Sequence, residues 1–116
     1  MREEDQIHIA VCDQLRARAH SDVLWWHTAN EGKRKPRQGR TLKRMGMLPG
    51  VSDFICIHGG EIFALELKAE GGRPTESQLE FQSRVRTAGG HAVVAEGLDE
   101  AIACLEAWRL LRGRAA

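Results

Sequence analysis

The chain has 116 residues, 42% of them hydrophobic and 28% charged, with a net charge of +1. That length suits one domain, spanning residues 1–116, with one core, and it lies above the size at which disulfides or metal staples become necessary. No apolar run approaches the roughly 18 residues of a membrane span, and the acidic start at Glu3, Glu4 and Asp5 lacks the basic-then-apolar pattern of a secretory leader, so a soluble, cytoplasmic protein with no membrane contact is expected.

Residues 3 to 19 place Ile7, Val11 and Leu15 four apart, with Ala10 beside them, which predicts an amphipathic helix. Residues 23 to 27 form a short β-prone run; Trp25 and Trp26 are adjacent and must face opposite sides, one into the core and one partly covered. From 28 to 50 there is no convincing periodicity. Lys33, Arg34, Lys35, Arg37, Arg40, Lys43 and Arg44 fall here without one intervening acid, among Gly32, Pro36, Gly39, Gly46, Pro49 and Gly50, and the rest of the chain is net acidic. The segment is expected to be an exposed loop able to neutralise phosphates; the plainer alternative is a solvated linker.

Two Val/Ile/Phe-rich runs, 51–57 and 61–68, flank Gly59-Gly60 and predict a hairpin with a two-residue turn. Residues 69–73 form a Gly-rich bend. Thr75-Glu76-Ser77-Gln78 then opens a helix with a capping box, lined by Leu79, Phe81, Gln82 and Val85 and ended by Gly89-Gly90. Residues 91–95 predict a short buried strand. A last helix, 99–112, carries Ala101, Ile102, Leu105, Trp108 and Leu111 on its apolar side, with Arg109, Arg112 and Arg114 at its C-terminal end. The order αβββαβα is that of a mixed α/β sheet with helices on its faces. Cys12, Cys56 and Cys104 are odd in number, far apart and without C-x-x-C spacing, which argues for small core hydrophobes rather than disulfides or a zinc site. His20, His27, His58 and His91 have no metal-like spacing, so surface or structural roles are expected of them.

With Gly59 and Gly60 as the turn, His58 pairs with Glu61, Ile57 with Ile62, Cys56 with Phe63, Ile55 with Ala64, Phe54 with Leu65 and Asp53 with Glu66. Opposed residues have Cβ atoms roughly 4.5–5.5 Å apart on one face, and Lys68, two positions beyond Glu66, shares it. Facing carboxylates repel unless a divalent cation lies between them, and Mg²⁺ favours one or two carboxylates with waters and phosphate. This geometry points to metal-dependent phosphodiester hydrolysis. The competing interpretation is an ordinary charged sheet face with a Glu–Lys pair.

Asp53 and the triplet Glu66-Leu67-Lys68, the Pro49-Gly50-Val51-Ser52-Asp53 run, Asn30-Glu31-Gly32-Lys33-Arg34, Glu4 in the first helix and Gln78 opening the later one resemble the VRR-NUC (virus-type replication-repair nuclease) branch of the PD-(D/E)xK superfamily. The resemblance covers almost the whole chain and implies a restriction-endonuclease-like fold. It implies Mg²⁺, with Mn²⁺ as substitute, on Asp53, Glu66 and the Leu67 carbonyl. Glu4, Lys68 and Gln78 would support the reaction, and Glu4 would hold water or a second cation. His8 stands where this branch often has glutamine. Small stand-alone members resemble Holliday-junction resolvases, which implies a homodimer cutting branched DNA to leave 5′-phosphate and 3′-hydroxyl ends. Twofold symmetry agrees with two equivalent cuts; the last helix and the strand bearing Trp25 and Trp26 are the candidate interfaces.

Several roles stay open at this level. Lys68 either orients the nucleophile electrostatically or takes its proton. Glu4 either serves the site or complements the helix dipole, and Gln78 suits both capping and catalytic support. Asn30, Lys33, Arg34, Lys35, Arg37, Arg40, Lys43 and Arg44 are the candidate substrate contacts. The alternatives to junction cleavage are a flap-, nick- or single-strand-preferring nuclease and a non-catalytic nucleic-acid-binding module.

Overall fold

A computed structural model describes residues 1–28 and 36–114, the side chains of 36–38 excepted. The elements are α1 (Glu3–Arg18), β1 (Leu24–His27), α2 (Pro36–Arg44), β2 (Phe54–His58), β3 (Glu61–Lys68), α3 (Glu76–Thr87), β4 (His91–Glu96) and α4 (Gly97–Ala107). They build one four-stranded mixed sheet in the order β1-β2-β3-β4, antiparallel across β1, β2 and β3 and parallel between β3 and β4. No helix among the described residues is long and apolar enough to cross a membrane.

Alternation along the strands divides the core between two faces. Phe54, Cys56, Phe63, Leu65 and Leu67 point to one side, where Ile7, Val11 and Leu15 of α1 and Ala101, Ile102 and Leu105 of α4 close over them. Ile55, Ala64 and Ala92 point to the other, against Phe81 and Val85 of α3 and Val51. The hairpin follows the expected register from His58–Glu61 to Phe54–Leu65. Gly59 and Gly60 both take positive φ, 58° and 79°, as a two-residue I′ turn requires. Trp25 packs on the α1 side of the core, and Trp26 is 43% exposed on the opposite side. Cys56 is buried and Cys12 and Cys104 half-buried, all three as free thiols, and burial pushes Cys56 and Cys104 up to about 12.

The structure departs from expectation in four places. The basic segment contains a helix: α2 opens on Pro36, whose fixed φ suits a first turn, and closes on Gly46 at φ 91°, with Met47 N–H bonded back to the Leu42 carbonyl. With Leu42 its one apolar residue, the sequence gives α2 no stripe to detect. β2 starts at Phe54 rather than 51, so Asp53 lies just outside the ladder. Leu79 on α3 is 50% exposed, while Gln82 takes the buried position. Finally α4 stops at Ala107, because Arg109 adopts a left-handed conformation (φ 62°) and turns the chain back. Leu110 and Leu111 then enter the core, and Leu111 bridges to Ala19 at the end of α1. Burying two leucines outweighs the strain of one non-glycine left-handed residue.

Candidate active site

The main chain leading into β2 is clamped by α3. Gly50 sits at φ 74°, and a Cβ there would lie 2.3 Å from the Ser77 main-chain carbonyl, so only glycine allows this approach. Two residues on, Ser52 is fully buried and its Oγ accepts a hydrogen bond from Gln82 Nε2 at 2.9 Å. Gln82 Nε2 also reaches the Val93 carbonyl at 3.1 Å, and Arg86 donates to Gln82 Oε1. This buried polar network fixes the residue that follows, Asp53.

Asp53 is 5% exposed and Glu66 1% exposed. Instead of pairing across the ladder, Asp53 bonds through its side chain: Oδ2 accepts the Leu67 N–H at 2.7 Å, while its carbonyl accepts Thr28 N–H. The two acids therefore meet, by a route other than a regular strand pair. Burial, the adjoining Asp53 carboxylate and Glu4 push Glu66 up to about 8, against an opposing pull from Lys68. Lys68 Nζ lies 3.7 Å from Glu66 Oε2. Glu66 Oε1 is buried with no hydrogen-bond partner. Two buried carboxylates, one with an unsatisfied oxygen, are hard oxygen donors that suit Mg²⁺ or Mn²⁺.

On the α1 side, Glu4 and His8 are one turn apart and face the same site; Glu4 acts on Glu66 through its charge, and His8 Nε2 lies 3.6 Å from Asp53 Oδ2. His8 Nδ1 is 2.9 Å from His27 Nε2 on β1. Burial first, and then His8, lower the His27 pKa, with Asp53 opposing. His8, His27 and Asp53 each offer a ligand atom within 4.8 Å of the others. Among the described residues, the buried side-chain atoms without a hydrogen bond are His8 Nε2, Thr28 Oγ1 and Glu66 Oε1, all from residues around Asp53.

Of the expected site residues, Asp53, Glu66, Leu67 and Lys68 converge, and Glu4 comes near enough for its charge to act weakly on Glu66. Gln78 completes the capping box: its Oε1 accepts Thr75 N–H at 2.8 Å, and its own N–H bonds Thr75 Oγ1. It reaches the site through the main chain, since its N–H group abuts Gly50. Asn30, Lys33, Arg34 and Lys35 lie outside the described residues, and Arg37 is described by its main chain alone. Arg40, Lys43 and Arg44 are exposed on α2.

Sequence reasoning named Gln82 among the residues lining α3 but missed its bonds to Ser52 and the Val93 carbonyl, and it missed the approach of His27 to His8. His27 keeps the surface position expected of it, and its alternation with Trp25 turns its ring to the α1 side of β1, where it meets His8. The other histidines keep to the surface or to structural contacts: His58 bonds Asp22 and stacks on His20, and His91 bonds Glu61 and stacks on Phe63.

No protein-family model and no curated protein matches the sequence. Among solved structures, one named "VRR_NUC domain protein" superposes with a TM-score of 0.75 at 22% identity, over 97% of this chain and 93% of its own. Another, named "VRR_NUC domain", gives 0.62 at 19% identity over 91% of this chain and 97% of its own. The chain therefore has the fold of the VRR_NUC domain.

Proposed function

We propose that this protein is a metal-dependent nuclease of the VRR-NUC type, a homodimer that hydrolyses phosphodiester bonds in branched DNA such as Holliday junctions, leaving 5′-phosphate and 3′-hydroxyl ends. The observation that carries this reading is the buried Asp53–Glu66 pair beside Lys68, with Glu66 Oε1 unsatisfied, on a VRR_NUC-type fold.

Asp53, Glu66 and the Leu67 carbonyl are the residues to hold Mg²⁺, or Mn²⁺ in its place; when bound, the cation supplies Lewis acidity to the phosphate and makes water a better nucleophile. The Asp53–Leu67 hydrogen bond and the Ser52–Gln82 bond keep the acids in place without reorganisation. Lys68 orients the attacking water and offsets the charge that grows on the phosphoryl oxygens. Glu4 holds a water at the α1 edge, and Gln78 braces the main chain at Gly50. Arg40, Lys43 and Arg44 on α2, with Asn30, Lys33, Arg34, Lys35 and Arg37 before them, contact the DNA backbone.

For the homodimer, the apolar side of α4 is used up inside the core, whereas the row Leu24–Ile57–Ile62 crosses three strands on the α3 side with Leu24 60% and Ile62 45% exposed. That row, with Trp26 beside it, is the surface we assign to self-association.

The deciding experiment incubates wild type, Asp53→Ala and Lys68→Ala with labelled four-way junction, flap, nicked, duplex and single-stranded DNA, with and without Mg²⁺. Cleavage of the junction by wild type alone, and only with Mg²⁺, is expected, with both variants still binding DNA. Equal cleavage by all three proteins overturns the site; preference for flap or single strand overturns the substrate; DNA binding without cleavage or Mg²⁺ uptake leaves a binding module.

A further inference from the structure

The His8–His27–Asp53 group differs in chemistry from the carboxylate pair beside it. Its members come from α1, β1 and the entry to β2, and the fold brings their ligand atoms within 4.8 Å of one another. We propose that His8, His27 and Asp53 form a second cation site, selective for a borderline divalent metal of the iron-to-zinc series, in which Asp53 is shared with the Asp53–Glu66 site. The metal class follows from the imidazole donors and stands independently of the nuclease reading; only the sharing of Asp53 rests on it.

Donor type sets the selectivity. Mg²⁺ prefers oxygen and gives up its waters reluctantly, whereas neutral imidazole suits zinc, nickel, cobalt and copper. Geometry sets the fit. Donors around a tetrahedral zinc, at ~2.0–2.2 Å from the metal, stand roughly 3.3 Å apart. His8 meets its two partners through different ring nitrogens, Nδ1 to His27 Nε2 at 2.9 Å and Nε2 to Asp53 Oδ2 at 3.6 Å; with one ligand atom from each residue the set spans up to 4.8 Å, and a turn of the His8 ring brings a single nitrogen between the other two.

His8 Nε2 is buried without a hydrogen bond, so the imidazole pair is not satisfied by its mutual contact alone. Phe54 lies under both rings, at centroid distances of 6.1 Å from His8 and 5.0 Å from His27, and gives them a fixed apolar floor. An open depression of about 480 Å³, lined in part by Asp5, His8, Cys12 and His27, leads to the rings from solvent. Three protein ligands with an open approach form the pattern of a reactive rather than a structural metal site. Asp53 retains lone pairs to bridge, since Leu67 N–H occupies one direction of Oδ2. Carboxylate-bridged cations are the arrangement of two-metal phosphodiester chemistry.

The test titrates Co²⁺ into the metal-free full-length protein in the presence of saturating Mg²⁺. One equivalent of visible d–d absorption, stronger than that of aqueous Co²⁺, is expected for wild type and for Glu66→Gln, and its loss for His8→Ala and His27→Ala. His27 is an exposed strand residue, so His27→Ala serves should His8→Ala fail to fold. An aqueous-like Co²⁺ spectrum, or an unchanged band in His27→Ala, overturns the proposal. Absence of Mg²⁺-dependent cleavage with a normal Co²⁺ band would instead overturn the nuclease reading and leave this site standing.

Discussion

Asp53 Oδ2 accepts the main-chain N–H of Leu67 at 2.7 Å, so an acid that stands outside the β2–β3 ladder is nonetheless fixed against β3. The bond aims the Asp53 carboxylate at Glu66, and the resulting repulsion, added to burial, holds the Glu66 proton into the neutral range.

A stability measurement follows from that proton. In the unfolded chain Glu66 loses it near 4.5, and in the folded, metal-free protein near 8. Between these values the folded state binds the extra proton, so its contribution is fully present below 4.5 and is lost as pH rises through about 8. Thermal unfolding in chelator is expected to show wild type losing stability relative to Glu66→Gln across this window, by at most ~1.4 kcal/mol per pH unit. Saturating Mg²⁺ is expected to abolish the difference by stabilising the ionised form. Parallel pH curves for the two metal-free proteins would contradict the buried pair.

Lys68, 3.7 Å from Glu66 Oε2, has two roles that one pair of variants separates. Lys68→Arg keeps the positive charge and cannot act as a base near neutral pH, whereas Lys68→Met loses both functions. Single-turnover cleavage is expected to fall roughly 100-fold or more in Lys68→Met, in the range of a lost acid–base or charge-stabilising group, and distinctly less in Lys68→Arg. Equal losses would move the proton transfer onto Lys68 itself.

Gly50 offers a test of how the Asp53 segment is held. A Cβ at this position meets the Ser77 carbonyl carbon and oxygen at 2.3 Å, and φ is 74°. Gly50→Ala is expected to cost about 2–4 kcal/mol in denaturant unfolding, through strain and displacement of α3. Gly46→Ala, at φ 91° but in open space, is expected to cost only about 1 kcal/mol. Similar costs at both positions would mean that α3 does not clamp the segment.

Arg40, Lys43 and Arg44 sit exposed on α2 without an acidic residue in its first turn. Replacing all three with glutamine is expected to weaken DNA binding without changing sequence preference, and to reduce the log–log salt slope by about 0.9 for each lost phosphate contact on duplex. An unchanged slope in a salt titration would place α2 away from the substrate.

Much of the site was legible because local signals coincided. Gly59-Gly60 between alternating apolar runs specifies a turn, the turn fixes register, and register puts Glu66 and Lys68 on one face; Asp53, expected opposite Glu66 in the ladder, stands just outside it. The Thr75–Gln78 box was equally readable, since both partners lie within one helical turn. What stayed hidden depends on tertiary packing. His8 and His27 are nineteen positions apart and meet only because α1 lies over the face that His27 shares with Phe54. Gln82 can be placed among the lining residues of its helix from sequence, but its bonding partners cannot be named until Ser52 and the Val93 carbonyl are placed beneath it. The left-handed Arg109 has no glycine or asparagine to announce it, so the apolar run through Trp108, Leu110 and Leu111 mimics one continuing helix.

That reversal at Arg109 ties distant parts of the chain together. Leu110 and Leu111 bring the tail beside the end of α1, where the Leu110 carbonyl accepts His20 N–H, Arg112 N–H bonds the Arg18 carbonyl, and Arg18 pairs with Glu106. The far end of the same rigid rod carries Glu4 and His8. Trimming the protein after Trp108 would unlatch that rod at its base, and the disturbance would be felt at the opposite tip, where the acids and imidazoles gather.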